Sequence, residues 1–149
     1  MKPRRSKLFP TPDDAASAFY DAFERADLPA MMAVWAESDD VVCVHPRGVR
    51  LVGFEAVRQS WAQIFAGGSR LRVATTDPCS FEGPSIAVQS VVELVSAPGS
   101  EADPTPVSAT NVFELTEHGW RLVIHHASPL PKADPAPEEE PPGKTHVLH

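Results

Sequence analysis

The second half of the chain constrains its fold most. From residue 70 to 128 the sequence runs as four long segments, RLRVATTDPCSFEG, PSIAVQSVVELVSA, PVSATNVFELTE and GWRLVIHHAS, rich in β-branched and aromatic residues and parted by Gly or Pro. Such segments predict strands, with Glu117-His118-Gly119 as a tight hairpin turn. Four long strands adjacent in sequence pair antiparallel with their neighbours, and the sheet they build needs a partner layer for its apolar face.

The first half supplies helices for that layer. Thr11-Pro12-Asp13-Asp14 is a helix start: a Thr cap, Pro in the first turn, and acids near the positive end of the helix dipole. Ala15, Ala16, Phe19, Tyr20, Phe23 and Ala26 follow at helical spacing and make one apolar stripe. A second start at Asp27-Leu28-Pro29 opens a short helix through Met31, Met32, Val34 and Trp35, ending near Glu37. VVCVHP then reads as a strand that stops at Pro46, which cannot donate to a sheet ladder. GFEAVRQSWAQIFAGG carries Val57, Trp61, Ile64 and Phe65 at helical spacing between Gly53 and Gly67-Gly68, predicting a third helix. The expectation is an α+β fold with a curved antiparallel sheet wrapped over three N-terminal helices, leaving room for a pocket between them.

Residues 129–149 hold six of the chain's 16 prolines and a Glu triplet, with little apolar content, and are expected to form a disordered tail. The first ten residues are expected to be flexible, leaving a folded body over 11–128. No apolar run approaches the roughly 18 to 20 residues that span a bilayer, so no membrane partner is expected. The N-terminus lacks the apolar core of about 7 to 15 residues that an export signal needs, and the expected compartment is cytoplasmic. A net charge of -7 with scattered arginines argues against nucleic acid. Cys43 and Cys79 have neither zinc-site nor disulfide-framework spacing and read as two reduced, packed thiols.

Alternation along the strands nominates inward residues. His45 shares a face with Val41 and Cys43. Asn111 shares one with Ala109 and Phe113, where an unpaired amide would cost about 1 to 3 kcal/mol, so something must satisfy it. In WRLVIHHAS, His126 falls in line with Trp120, Leu122 and Ile124, while Arg121 and His125 fall on the solvent side, an order that a bulge would reverse. Adjacent strand histidines diverge and do not chelate one ion, and no metal site is expected. Glu93, set among valines, either faces solvent or pairs with a buried partner. Trp35, Trp61, Phe19 and Phe113 are the expected apolar contacts of a ligand, the tryptophans reading first as core and flooring a pocket while they pack it.

The order of these elements, from FYDAFERADLPAMMAVWAESDDVVCVHPRGVRLVGFEAVRQSW to GWRLVIHHAS, resembles the SnoaL-like branch of the nuclear transport factor 2-like superfamily over nearly all of residues 12–128. The resemblance implies a cone-shaped fold that hosts ketosteroid isomerases, dehydratases, cyclases and noncatalytic association domains. In the isomerases a general-base Asp lies in an Asp-Pro-x-Gly motif at the end of the first strand; the matching residues here are His45-Pro46-Arg47-Gly48. By the same resemblance Asn111, two places before Phe113, stands where a protonated Asp stabilises an enolate oxygen. Tyr20, the chain's one tyrosine, stands on the helix that carries the oxyanion tyrosine. This implies a site of His45, Asn111, Tyr20 and His126, without a cofactor, for isomerisation, dehydration or cyclisation of an apolar carbonyl compound by proton transfer. Superfamily sheets commonly dimerise through their outer faces, and a homodimer is expected on that ground. The alternative reading is a noncatalytic domain that binds an apolar ligand or serves as a dimeric interaction module.

Overall fold

A computed structural model describes residues 8–68 and 70–131. Its order is α1 (Pro12–Arg25), α2 (Leu28–Val34), β1 (Val42–Val44), β2 (Arg50–Val52), α3 (Phe54–Ala66), β3 (Arg72–Glu82), β4 (Ile86–Ser96), β5 (Thr105–Thr116) and β6 (Gly119–Pro129). The expected α+β class and all three helices are present, and the four long strands form one sheet with the short pair, in the order β2-β1-β6-β5-β4-β3. Every neighbouring pair is antiparallel except β1 and β6, which run parallel. That parallel pair sets Cys43 beside His125, so the end of β1 and the middle of β6 meet on one face.

Local chemistry explains the helix starts. The Thr11 hydroxyl accepts from the Asp14 amide at 3.0 Å, and the Asp27 carboxylate accepts from the Ala30 amide at 3.0 Å. The second helix stops at Val34 rather than near Glu37, because Trp35 turns extended and bridges to Leu122 of β6. After β1 the Gly48 amide donates to the His45 carbonyl at 2.7 Å; Pro46 takes the first central place of this turn, and Arg47 the second, at φ 61°. That turn lets β2 fold back on β1, a strand too short for alternation to reveal in the sequence.

The helices fill the concave side of the sheet. Phe19, Met31, Trp35, Cys43, Trp61, Phe113 and Leu122 form the centre of the main core, and a smaller cluster of Val91, Val107, Ala109 and Ala127 lies along the long strands, with Tyr20 packed against both. Among the described residues no helix is long and apolar enough to cross a membrane.

Several expectations need correction. Across β5 and β6, Val112 pairs with Ile124 but Phe113 pairs with Leu122, so Val123 is one residue too many. This bulge shifts the alternation: Trp120 and Leu122 point inward, then His125 and Ala127, while His126 is exposed. The expected inward His126 therefore lies on the outer side and His125 takes its place. Arg121 does not face solvent. It is 1% exposed, its Nη1 donates to the Trp120 carbonyl at 3.0 Å, and its guanidinium carbon stands 4.8 Å from the centre of the Phe9 ring. Phe9 is buried and its backbone bridges Gly119, so the chain is packed from before residue 11. Gly119 permits this: at φ 94° an added Cβ would lie 2.8 Å from the Phe9 nitrogen. Of the two thiols only Cys43 is packed, since Cys79 is exposed. Strand β6 runs to Pro129, and the expected tail lies outside the described residues from 132 onward.

Candidate functional site

Between the concave face and the helices opens a cavity of about 500 Å³. Phe23, Ile64, Leu71, Val95 and Val107 give it apolar walls, and three titratable side chains reach it: half-buried His45 and the buried Glu93 and His125. A volume of this size suits a small organic ligand, which such pockets hold mostly by apolar contact with a few placed polar groups.

His45 follows β1 at the rim of the core. Its ring stands edge-on to Trp61 with centroids 4.8 Å apart, and its Nε2 lies 3.0 Å from the Ser60 Oγ. The Ser60 hydroxyl donates its one proton to the Val57 carbonyl at 2.7 Å. It can therefore only accept from His45, so Nε2 carries the proton and Nδ1 holds the free lone pair. Burial lowers the pKa of His45 and keeps the ring neutral. The Cys43 Sγ stands 3.6 Å from Nε2, but burial above all pushes the thiol up to about 12, so Cys43 stays a thiol.

On the other wall a hydrogen-bonded row crosses the inside of the sheet. His125 Nδ1 meets the Asn111 Oδ1 at 2.6 Å, Asn111 Nδ2 donates to the Tyr20 Oη at 3.0 Å, and Tyr20 donates to the Glu93 Oε2 at 2.7 Å. Strand register accounts for one contact, because Asn111 and His125 are direct neighbours across β5 and β6. Helix α1 supplies the other two by aiming Tyr20 at the sheet. Since the Asn111 oxygen can only accept, His125 donates from Nδ1 and its Nε2 is the unprotonated nitrogen. Burial, then the neighbouring His45 and His126, lower the His125 pKa to about 3. Burial raises Glu93 and Tyr20, favouring their protonated forms, and the Tyr20 hydrogen bond partly offsets the rise at Glu93.

The residues expected from sequence divide accordingly. His45 lines the cavity. Asn111 and Tyr20 are brought together but do not line it, since each spends its polar atoms on the row. Trp35, Trp61, Phe19 and Phe113 are core rather than cavity wall; Trp61 backs His45 at 4.8 Å and Phe19 backs His125 at 4.9 Å. Sequence reasoning missed Glu93 and His125 as site members. The available signal for Glu93 was its alternation with Ala87 and Val91, the buried positions of β4.

A helical layer closed by a curved sheet defines a cone-shaped α+β fold. The chain belongs to the SnoaL-like domain family, whose model matches residues 13–132, within the nuclear transport factor 2-like superfamily. One solved structure similar to it, from Thiobacillus denitrificans, carries the provisional name of a calcium/calmodulin-dependent protein kinase type II association domain. It is 40% identical, covers 85% of this chain and 100% of that one, and has a TM-score of 0.75. Another, from Streptomyces avermitilis, carries a provisional dehydratase name in the NTF2-like family; it is 33% identical over 80% of this chain and 99% of that one, with a TM-score of 0.71. The F-box protein SKIP8 of Arabidopsis thaliana is 29% identical over 112 residues, 74% of this chain. The chain spans about half the length of that curated relative, 46%.

Proposed function

We propose that the chain is a cofactor-independent isomerase or dehydratase that moves a proton on an apolar carbonyl compound. The observation that carries this reading is His45, a neutral imidazole with Nε2 tied to Ser60, on the wall of an apolar cavity that also holds a buried carboxyl. His45 Nδ1 takes the proton from the carbon next to the carbonyl, and the electron pair of that C–H bond moves toward the carbonyl oxygen. Glu93 in its acid form hydrogen-bonds that oxygen. In an isomerisation the His45 imidazolium returns that proton to another carbon of the enolate; in a dehydration the enolate electron pair forms the C=C bond as the C–O bond breaks with its own pair, and the hydroxyl leaves as water with the proton that His45 had taken. Tyr20 and Asn111 hold Glu93 and His125 in place instead of touching the ligand. The dehydratase name of a relative 33% identical to this chain agrees with this chemistry.

The test is a panel of apolar hydroxy ketones and enones assayed with the native chain and with His45→Ala. Loss of more than about 100-fold in turnover, with circular dichroism unchanged, is expected. Turnover that survives the substitution removes His45 from the chemistry.

The 40% identical relative named as an association domain favours a second reading, an interaction module that pairs two copies through the sheet. The face of β4 turned away from the cavity carries Val88, Val92 and Leu94, all partly exposed, and Phe81 of β3 beside them is 72% exposed. A homodimer through this face would become monomeric in Val92→Lys, as read by sedimentation equilibrium; an unchanged mass would place the contact elsewhere.

A further inference from the structure

The internal bonds of the cavity's polar groups decide what those groups can still offer a ligand. His45 spends its N–H on Ser60, His125 spends its N–H on Asn111, and Glu93 takes the Tyr20 hydroxyl at Oε2. What is left for a ligand is a lone pair on His45 Nδ1, a lone pair on His125 Nε2, and the Glu93 Oε1. Both imidazoles therefore present acceptors. His125 is the more demanding of the two, because its ring is 1% exposed and lines the cavity, so a ligand that fills the space displaces the water that its free nitrogen could otherwise meet. The rim adds Asp103, and among the described residues no Lys or Arg lines the space. A carboxylate or phosphate would meet the Asp103 side chain and the lone pairs of two imidazoles there, with no cation among the described lining residues to offset its charge.

We propose that the cavity selects neutral apolar molecules that carry a hydroxyl donor, over molecules of the same shape whose polar atoms only accept or bear negative charge. This inference rests on the reading of the cavity as the ligand site, and it names the class of ligand that site takes. The hydroxyl donates to His125 Nε2, while the apolar remainder lies against Phe23, Ile64, Leu71 and Val95. A plain ketone or ether fills the same volume but leaves the His125 nitrogen buried without a partner, which costs it affinity. For a dehydration this ligand is a hydroxy carbonyl compound, whose leaving group is the hydroxyl so held.

Three probes of one shape test the inference by isothermal titration calorimetry on the full chain at neutral pH: 2-naphthol, 2-methoxynaphthalene and 2-naphthoate. The expected order is naphthol tightest, methoxynaphthalene about ten-fold weaker, which is the worth of one satisfied hydrogen bond, and naphthoate weakest. In His125→Phe, which removes the acceptor and keeps a ring, naphthol and methoxynaphthalene should bind within about two-fold of one another. Equal binding of the two neutral probes to the native chain, or tightest binding of naphthoate, overturns the donor preference. His45-dependent turnover measured alongside would still leave the proposed chemistry standing. Absence of binding by all three overturns the inference together with the assignment of the cavity as the ligand site.

Discussion

His125 and Asn111 face each other across β5 and β6 with Nδ1 and Oδ1 only 2.6 Å apart, and that contact gives the whole inner row its direction. Protons point from His125 through Asn111 and Tyr20 to Glu93. A carboxyl on one strand and an imidazole two strands away are thereby joined through a helix side chain.

Tyr20→Phe cuts this row in the middle. It strands the Glu93 Oε2 and the Asn111 Nδ2 in a buried setting, each at a cost of about 1 to 3 kcal/mol. Urea unfolding should register the sum as a lower midpoint with an unchanged slope. A loss below about 0.5 kcal/mol would mean that water replaces the hydroxyl at no cost.

Ser60→Ala removes the group that fixes the proton on His45 Nε2. Turnover should fall by about ten-fold, less than the 10²–10⁴-fold that a general base contributes, because the ring remains but its tautomer is free. The ¹⁵N shifts of His45 should move toward a mixture of tautomers, and Ser60→Thr should restore both readings. Native shifts in the Ala variant would show that something other than Ser60 sets the ring.

Stability should depend on pH through His125. Its folded pKa of about 3 lies below the ordinary value of 6.5, so between those limits the unfolded chain binds a proton that the native chain does not. Stability then falls as pH drops through that window, by up to about 1.4 kcal/mol per pH unit for the one group. His45 is shifted in the same direction and adds to the slope. Glu93 is shifted upward and opposes it, since the native acid keeps a proton that the unfolded one has lost. Urea midpoints taken from pH 7 to pH 4 should fall less steeply in His125→Gln than in the native chain. Parallel curves would show that His125 takes up its proton as readily folded as unfolded.

Much of this molecule was legible from local chemistry. The Thr11 and Asp27 caps, the apolar stripe of α1 and the inward faces of β1 and β5 all follow from residue type and spacing, and they carried His45 and Asn111 to the concave side. What alternation could not supply was a long-range count. Nothing near Val123 announces an extra residue there; the bulge exists because β6 must match Phe113 with Leu122 and still pair with β1 further along. Glu93 was ambiguous for a similar reason, since its partner Tyr20 lies 73 residues away and only the completed fold brings them together. Arg121 looked solvated because its covering ring, Phe9, belongs to a segment whose composition gave no sign of packing.

The Phe9 contact also bears on where this domain begins. The family match opens at residue 13, inside the first helix, yet the Phe9 carbonyl accepts from the Trp120 amide at 2.9 Å and its ring covers Arg121. Cutting the chain at the start of the match would uncover a charged group built to be roofed and would leave the β5–β6 hairpin with one edge open. The physical unit is therefore longer than the similarity unit by a few residues, and a shortened chain that misbehaves would speak to where it was cut, not to the stability of the cone.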